Sequence, residues 1–232
     1  MNTRINFQVL NIVNQDSGAL GPLGMAIHQF AEPGRYHVGV HREGRTVADT
    51  EFQVDADGDT QINIDLTAVA RRNPRKGDCE CKGSHDDVAV VSPKGYVLFH
   101  ASGGDGYSAT VAAECERAVF DSAKLGKGDL YATSLLEPGK YTVRNAMGTA
   151  KAEIEVTLTP EDAKRIKTVE PQYMDVKSKT FEPAAIKLVS SQGLVFRIKD
   201  HARVVIERQG DRSGRPENPV IQWRKPVAAK PR

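Results

Sequence analysis

The densest run of side chains able to hold a metal lies between Gly77 and Asp87. Cys79 and Cys81 flank Glu80, and His85 follows four residues on. In an extended loop a Cys-x-Cys pair puts both thiols on one side, and two thiolates with an imidazole suit Cu(I) or Zn²⁺. Asp86 or Cys115 could complete the set. Cys79, Cys81 and His85 are the candidate ligands, and copper or zinc the candidate cofactor of a chain otherwise expected to carry none. Structural zinc normally calls for a second matching pair. A reduced loop, or a disulfide among the three cysteines, accounts for the same residues and is the preferred reading.

The other constellations have plainer readings. His28, His37 and His41 lie close in sequence; His37 and His41 share parity on one strand, about 13 Å apart at ~3.3 Å per residue, which is too wide for one ion, so they read as a solvent-facing pair, with a pH-sensitive interface as the lesser alternative. His100, Ser102 and Asp105 surround a Gly103-Gly104-Asp105-Gly106 run. No nucleophile elbow, and no helix with Lys-Ser/Thr, accompanies them, so a hairpin loop is expected rather than a triad or a phosphate cradle. Asp55-Ala-Asp57-Gly-Asp59 resembles half a calcium loop, but position twelve is Leu66 where that chemistry needs Glu. An Asp-Gly hairpin turn is expected there. An interdomain cleft gathering His100, Tyr107 and Glu114 is the one enzymatic arrangement in view. The chain is expected not to be an enzyme.

The tail from Arg208 to Arg232 holds seven bases against two acids, and it carries the only Trp. Val220, Ile221, Trp223, Arg224 and Lys225 are the expected partner-binding residues. Aromatic and Arg anchors favour a protein partner, and strand addition to a sheet edge suits such an extended segment. RNA binding by the same residues is the lesser alternative.

The elements that must position these residues are strands. Period-two alternation marks 5–10, 36–40, 51–54, 61–66, 88–91, 96–99, 109–111, 141–143, 152–156, 186–188, 195–198 and 203–207. Such alternation half-buries a strand, and turn signals every ~8–12 residues argue for sandwiches or barrels. Only Thr159–Ile166 reads as a helix, with Thr as N-cap, Pro at the first helical position and acids in the first turn. Glu32-Pro33-Gly34-x-Tyr36-x-Val38 returns about 105 residues later as Glu137-Pro138-Gly139-x-Tyr141-x-Val143, so two tandem sandwiches are expected.

The fold class expected is all-β: two tandem antiparallel sandwiches with extra C-terminal strands and an extended tail. The organisation expected is a sandwich at 1–70, a Cys-x-Cys linker at 71–87, a second sandwich at 88–157, a helical spacer at 158–172, added strands at 173–207 and the tail at 208–232. With 32 basic and 30 acidic residues among 232, net charge points to neither nucleic acid nor an anionic membrane. No apolar run reaches the ~18–20 residues of a spanning helix. An odd cysteine count and an N-terminus that does not look like a secretory signal suggest a reduced, cytoplasmic setting.

Residues 88–157 resemble the cupredoxin-like domain. The resemblance rests on Phe120-Asp121-Ser122-Ala-Lys-Leu125-Gly-Lys-Gly128-Asp-Leu-Tyr131 followed by Leu136-Glu137-Pro138-Gly139-Lys140-Tyr141-Thr-Val143. It places the family's copper cysteine at Asn145, and no His follows, so it implies a sandwich without a blue-copper centre. Residues 180–201 look like opening cupredoxin strands, with His201 near the family's first His. The first sandwich looks equally transthyretin-like or immunoglobulin-like. The function expected is a non-catalytic structural or accessory subunit, assembling with itself or a protein partner through sheet edges and the tail. The alternative is metal handling or redox chemistry at Cys79, Cys81 and His85.

Overall fold

The computed structural model describes residues 12–72, 88–103, 106–113, 118–158 and 169–210. Fifteen strands and one short helix make up its regular elements. The strands are β1 (Gln15–Asp16), β2 (Gly24–His28), β3 (Gly34–Arg42), β4 (Arg45–Asp65), β5 (Ala89–His100), β6 (Tyr107–Ala113), β7 (Ala118–Asp121) and β8 (Leu130–Ser134). They continue with β9 (Gly139–Asn145), β10 (Lys151–Thr157), β11 (Gln172–Val176), β12 (Phe181–Glu182), β13 (Ala185–Val189), β14 (Gly193–Ile198) and β15 (Val204–Arg208). The all-β class expected from the alternation is the class found. In β10, for example, Ala152, Ile154 and Val156 are buried while Lys151, Glu153 and Thr157 are exposed.

Two sheets result. One runs β1-β15-β9-β10-β13, the other β12-β11-β14-β8-β2-β5-β4-β3-β6-β7. Most pairs are antiparallel, but β4–β5, β10–β13 and β11–β14 run parallel. Segment 71–87 does not separate the sheets. β5 and β6, which follow it, pair with β2, β4 and β3, which precede it.

The chain divides instead into halves related by the echo seen in the sequence. Shifted by 105 positions, Asp16-Ser17-x-x-Leu20-Gly21 falls on Asp121-Ser122-x-x-Leu125-Gly126, and Glu32-Pro33-Gly34-x-Tyr36 on Glu137-Pro138-Gly139-x-Tyr141. The bonds repeat as well. Ser17 N–H donates to Val204 O (2.9 Å) and Val204 N–H to Ser17 Oγ (3.1 Å). Ser122 N–H donates to Ala109 O (2.9 Å) and Ala109 N–H to Ser122 Oγ (2.9 Å). Leu20 bridges Tyr107 as Leu125 bridges Ala202. The first strands are exchanged: β1 completes the second half's sheet on β15, and β7 completes the first half's on β6.

The repeated Glu-Pro-Gly-x-Tyr turn has one cause in both places. Gly34 and Gly139 stand at φ 149° and 150°, a region that side chains with a Cβ rarely enter. The chain then turns so that Tyr36 OH donates to Glu32 O (2.8 Å) and Tyr141 OH to Glu137 O (2.6 Å). This is the tyrosine corner of β-sandwiches, once in each half.

β4 and β5 are single long strands where the second half uses two each. They pair over 52–54 with 89–91 and again over 61–65 with 96–100, with register shifts between. The Asp55–Asp59 run expected to be a hairpin turn is this irregularity inside β4. A Cβ on Gly58 would lie 2.4 Å from Val91 C, so glycine is what lets the two backbones approach. The helix is α1 (Leu66–Arg72), in residues read as strand end and linker. Asp65 caps it by accepting Thr67 N–H (3.0 Å), while the expected helix at 159–166 falls outside the described residues. No helix among the described residues is long and apolar enough to cross a membrane.

Replacing Tyr36 or Tyr141 with Phe removes one hydroxyl–carbonyl bond, worth about 1 kcal/mol. Each variant is expected to lose about that much stability in urea unfolding with its circular dichroism unchanged; an unaltered midpoint for both would show that the corners do not hold the turns.

Candidate functional site

The two halves meet where β2 pairs antiparallel with β8: Gly24↔Thr133, Met25↔Ala132, Ala26↔Tyr131, Ile27↔Leu130. Tyr131 is both the ladder partner of Ala26 and the residue 105 positions after it. The internal two-fold therefore passes through this pair, normal to the sheet. It makes β11, β14, β8, β2, β5 and the end of β4 one continuous surface.

The inner side of that surface is core. Met174, Leu194, Phe196, Tyr131, Ala26, Phe99 and Ile64 are buried. The outer side, one residue out of phase, reads across the strands in rows fixed by register. One row is Tyr173, Val195, Ala132, Met25, His100, Asp65; the next is Asp175, Arg197, Leu130, Ile27, Leu98, Asn63. Its four central strands thus present Val195, Ala132, Leu130, Met25, Ile27 and Leu98, all partly solvent-exposed. Exposed Tyr96 extends the patch along β5. A groove of about 240 Å³ lies at one end of β2, β8 and β14, lined by Leu23, Met25, Ala132, Ser134, Pro171 and Val195 among others.

The two innermost strands, β8 and β2, carry no charge on this side, and exposed Lys94 lies on β5. On the β11–β14 flank Arg197 lies over the Tyr173 ring (5.5 Å) and bonds Asp175 (2.5 Å), with Lys199 3.6 Å from the same carboxylate. The β4 flank carries Asp59 and Asp65 and has no base between Asp55 and Ala70. The five-stranded sheet is the contrast, since its outer side carries charged residues on β9, β10, β13 and β15. Arg144 pairs with Glu207 (3.5 Å) and Lys187 with Glu155 (3.1 Å).

The residues singled out by sequence do not gather here. Cys79, Cys81, His85, Asp86 and Cys115 lie outside the described residues, as do Asp105, Glu114 and the anchors Val220, Ile221, Trp223, Arg224 and Lys225. Among the described residues no three His, Cys, Asp or Glu converge on a metal-sized space. His37 is exposed on β3. Both nitrogens of His41 are held, by Thr110 Oγ1 (2.8 Å) and Thr46 Oγ1 (3.1 Å). His28 does not face solvent freely. Its Nδ1 lies 2.5 Å from Asp129 Oδ1, Asp129 is buried and also accepts Gly126 N–H (2.6 Å), and the ring packs on Phe30 and Phe120.

Asn145, where the resemblance places the family's copper cysteine, is buried and hydrogen-bonded on both sides of its amide. It donates to His201 O and accepts from Met147 N–H and Arg203 N–H, at 3.0–3.1 Å. Its role is to shape the β9–β10 turn. Ser102 N–H donates to Asp65 Oδ1 (3.1 Å), and Thr67 Oγ1 both donates to Gly103 O and accepts its N–H. The His100–Gly103 stretch is thus fastened to the start of α1. Partial burial works to raise the Asp65 pKa, but the Ser102, Ala68 and Thr67 hydrogen bonds outweigh it and hold the carboxyl below its ordinary 3.8.

The face was missed in the sequence because β2 and β8 do not alternate. Gly24-Met-Ala-Ile-His and Leu130-Tyr-Ala-Thr-Ser place apolar residues on both sides. Such two-sided strands are the mark of coverage on both faces, and that was the available signal.

Fold and face together define a duplicated, strand-exchanged all-β protein with one apolar outer surface. No protein-family model matches the chain, and neither a curated protein nor a solved structure does.

Met25→Lys and Val195→Lys point into solvent and should each shift stability by less than about 1 kcal/mol, whereas Ala26→Lys, one residue over, buries a charge and should prevent folding. Thermal melts of the three would expose a reversed face assignment. Asp65→Ala removes a helix cap, at about 1 kcal/mol at pH 7. A lowered folded pKa stabilises fully above 3.8, and that contribution disappears as pH falls through the folded value. Urea unfolding should therefore find the variant's deficit shrinking from pH 7 to pH 3; a constant deficit would assign it to lost contacts other than the carboxylate's.

Proposed function

We propose that this chain is a non-catalytic structural or accessory subunit that docks on protein, another copy or a different partner, through the outer face of the β11-β14-β8-β2-β5-β4 surface. One observation carries the reading. Four adjacent strands spanning both halves turn apolar residues outward, while the other sheet of the same molecule turns out paired charges. Apolar surface at the centre with polar residues around it is the anatomy of protein interfaces.

The sheet edges and the basic tail belong to the proposal as further anchors, with Val220, Ile221, Trp223, Arg224 and Lys225 in that role. The cupredoxin resemblance enters as shared sandwich architecture only. With a hydrogen-bonded Asn145 at the copper-cysteine position, the second half serves this reading as scaffold.

Fluorescence-detected sedimentation of the tagged chain at native abundance in cell extract tests the reading. The chain is expected to move as a particle heavier than its own 25.3 kDa. Met25→Lys and Val195→Lys should return it to the free-chain position, and removal of 211–232 should weaken the assembly. Free-chain sedimentation of the unaltered protein, or indifference to both face substitutions, would overturn it.

A further inference from the structure

Resting on that reading, we infer that the occupant of the apolar face is a second copy of this chain, packed face to face about a two-fold axis that runs along the strands. Three features of the surface select this partner and orientation.

Size is the first. Six strands at a ~4.8 Å spacing span roughly 29 Å, and five residues at ~3.3 Å make roughly 17 Å. The face therefore offers about 500 Å² per copy and about 1,000 Å² over two, the threshold for a specific interface. Outline is the second. A surface that already carries an internal two-fold through Ala26 and Tyr131 presents an equivalent outline after half a turn, so a two-fold in the plane of the contact brings the apolar centres of two copies into register. A closed isologous pair is the usual outcome for such a patch.

Charge is the third, and it fixes the axis. The β11–β14 flank holds Arg197 and Lys199 with Asp175 between them, one positive charge net; the β4–β5 flank holds Asp59 and Asp65 against one base, Lys94, one negative charge net. A two-fold along the strands lays the basic flank of one copy on the acidic flank of the other, twice. A two-fold across the strands would lay like on like. In the first arrangement the axis lies between β8 and β2, so β11 lies on β4: Asn63 of one copy faces Asp175 of the other together with the two bases that hold it, Arg197 and Lys199, a cluster with one net positive charge. The centre of the contact is then Met25, Ile27, Leu130 and Ala132 on both sides.

The test is sedimentation equilibrium on the purified full chain from micromolar to a few hundred micromolar. A species of twice 25.3 kDa is expected. Met25→Lys should raise its dissociation constant at least tenfold. Exposed Asn63 reads the axis: Asn63→Asp should tighten the dimer several-fold and Asn63→Lys should loosen it by a similar factor, with circular dichroism unchanged in each. A dimer indifferent to the charge at position 63, or one that survives Met25→Lys, would overturn the arrangement. A purified chain that stays at 25.3 kDa throughout would overturn the second copy as occupant. If the extract particle still forms and still depends on Met25, the docking reading survives with a different protein as partner. If the extract also shows only free chain, both fail together.

Discussion

Four residue pairs between β2 and β8 hold two half-molecules in one sheet, and the rest of the architecture follows from the symmetry of that ladder. An antiparallel pair carries two-fold axes normal to its sheet. Because Ala26 and Tyr131 are at once cross-strand partners and repeat equivalents, the local axis of the ladder is also the axis of the duplication. Each half can then lend its first strand to the other. Once β1 lies on β15 and β7 on β6, neither half completes its sheet alone. The Ser17 and Ser122 clasps supply the hydrogen bonds that an edge strand of only two to four residues would otherwise lack.

Symmetry breaks at the ends of the ladder. One step beyond Ile27↔Leu130, His28 meets buried Asp129. Their repeat equivalents are Thr133 and Gly24, and there the side chains leave Thr133 Oγ1, Tyr131 OH and Gln15 Nε2 buried without a hydrogen-bond partner among the described residues. Tyr131 OH lies 2.9 Å from where a Cβ on Gly24 would stand, so a counterpart of Asp129 has no room. Burial raises the Tyr131 pKa well above the ordinary phenol value of 10.0, which keeps the ring neutral in the core. A clasp on one side and close packing on the other is how one ladder accommodates two sequences that have diverged.

Much of this was legible in the residues. Alternation located the strands with one wet face, and the recurrence of Glu-Pro-Gly-x-Tyr announced the duplication. The Asp-Ser-x-x-Leu-Gly part of the same repeat is equally regular, but it codes a strand exchange. Nothing local distinguishes a first strand that stays home from one that crosses over. The division at 71–87 looked natural because Arg71-Arg72-Asn73-Pro74 ends an apolar pattern. Composition reports where a chain leaves a sheet, not which sheet it rejoins, and β5 rejoins β2 and β4. α1 was hidden because Asp65 ends a strand and caps a helix at once. The candidate metal ligands and the tail anchors singled out in the sequence stand outside the described residues, so the face and those motifs are separate lines of reasoning.

The strands least visible to periodicity are the ones the interface reading depends on, and the link is physical. A strand at the join of two halves must fill a core on its inner side, so Ala26 and Tyr131 are fixed by packing. Its outer side is free to be polar, as it is at Lys140, Thr142 and Arg144 on β9. On β2 and β8 it is not: Met25, Ile27, Leu130 and Ala132 keep apolar surface in contact with water. Each partly exposed side chain there forgoes part of the ~25 cal/mol per Å² that burial would return. Such a cost, repeated across four neighbouring strands and absent from the companion sheet, has a reason if the surface is covered in the working state. The same four strands contain the internal axis, so whatever covers them meets both halves at once and braces the junction on which the fold depends.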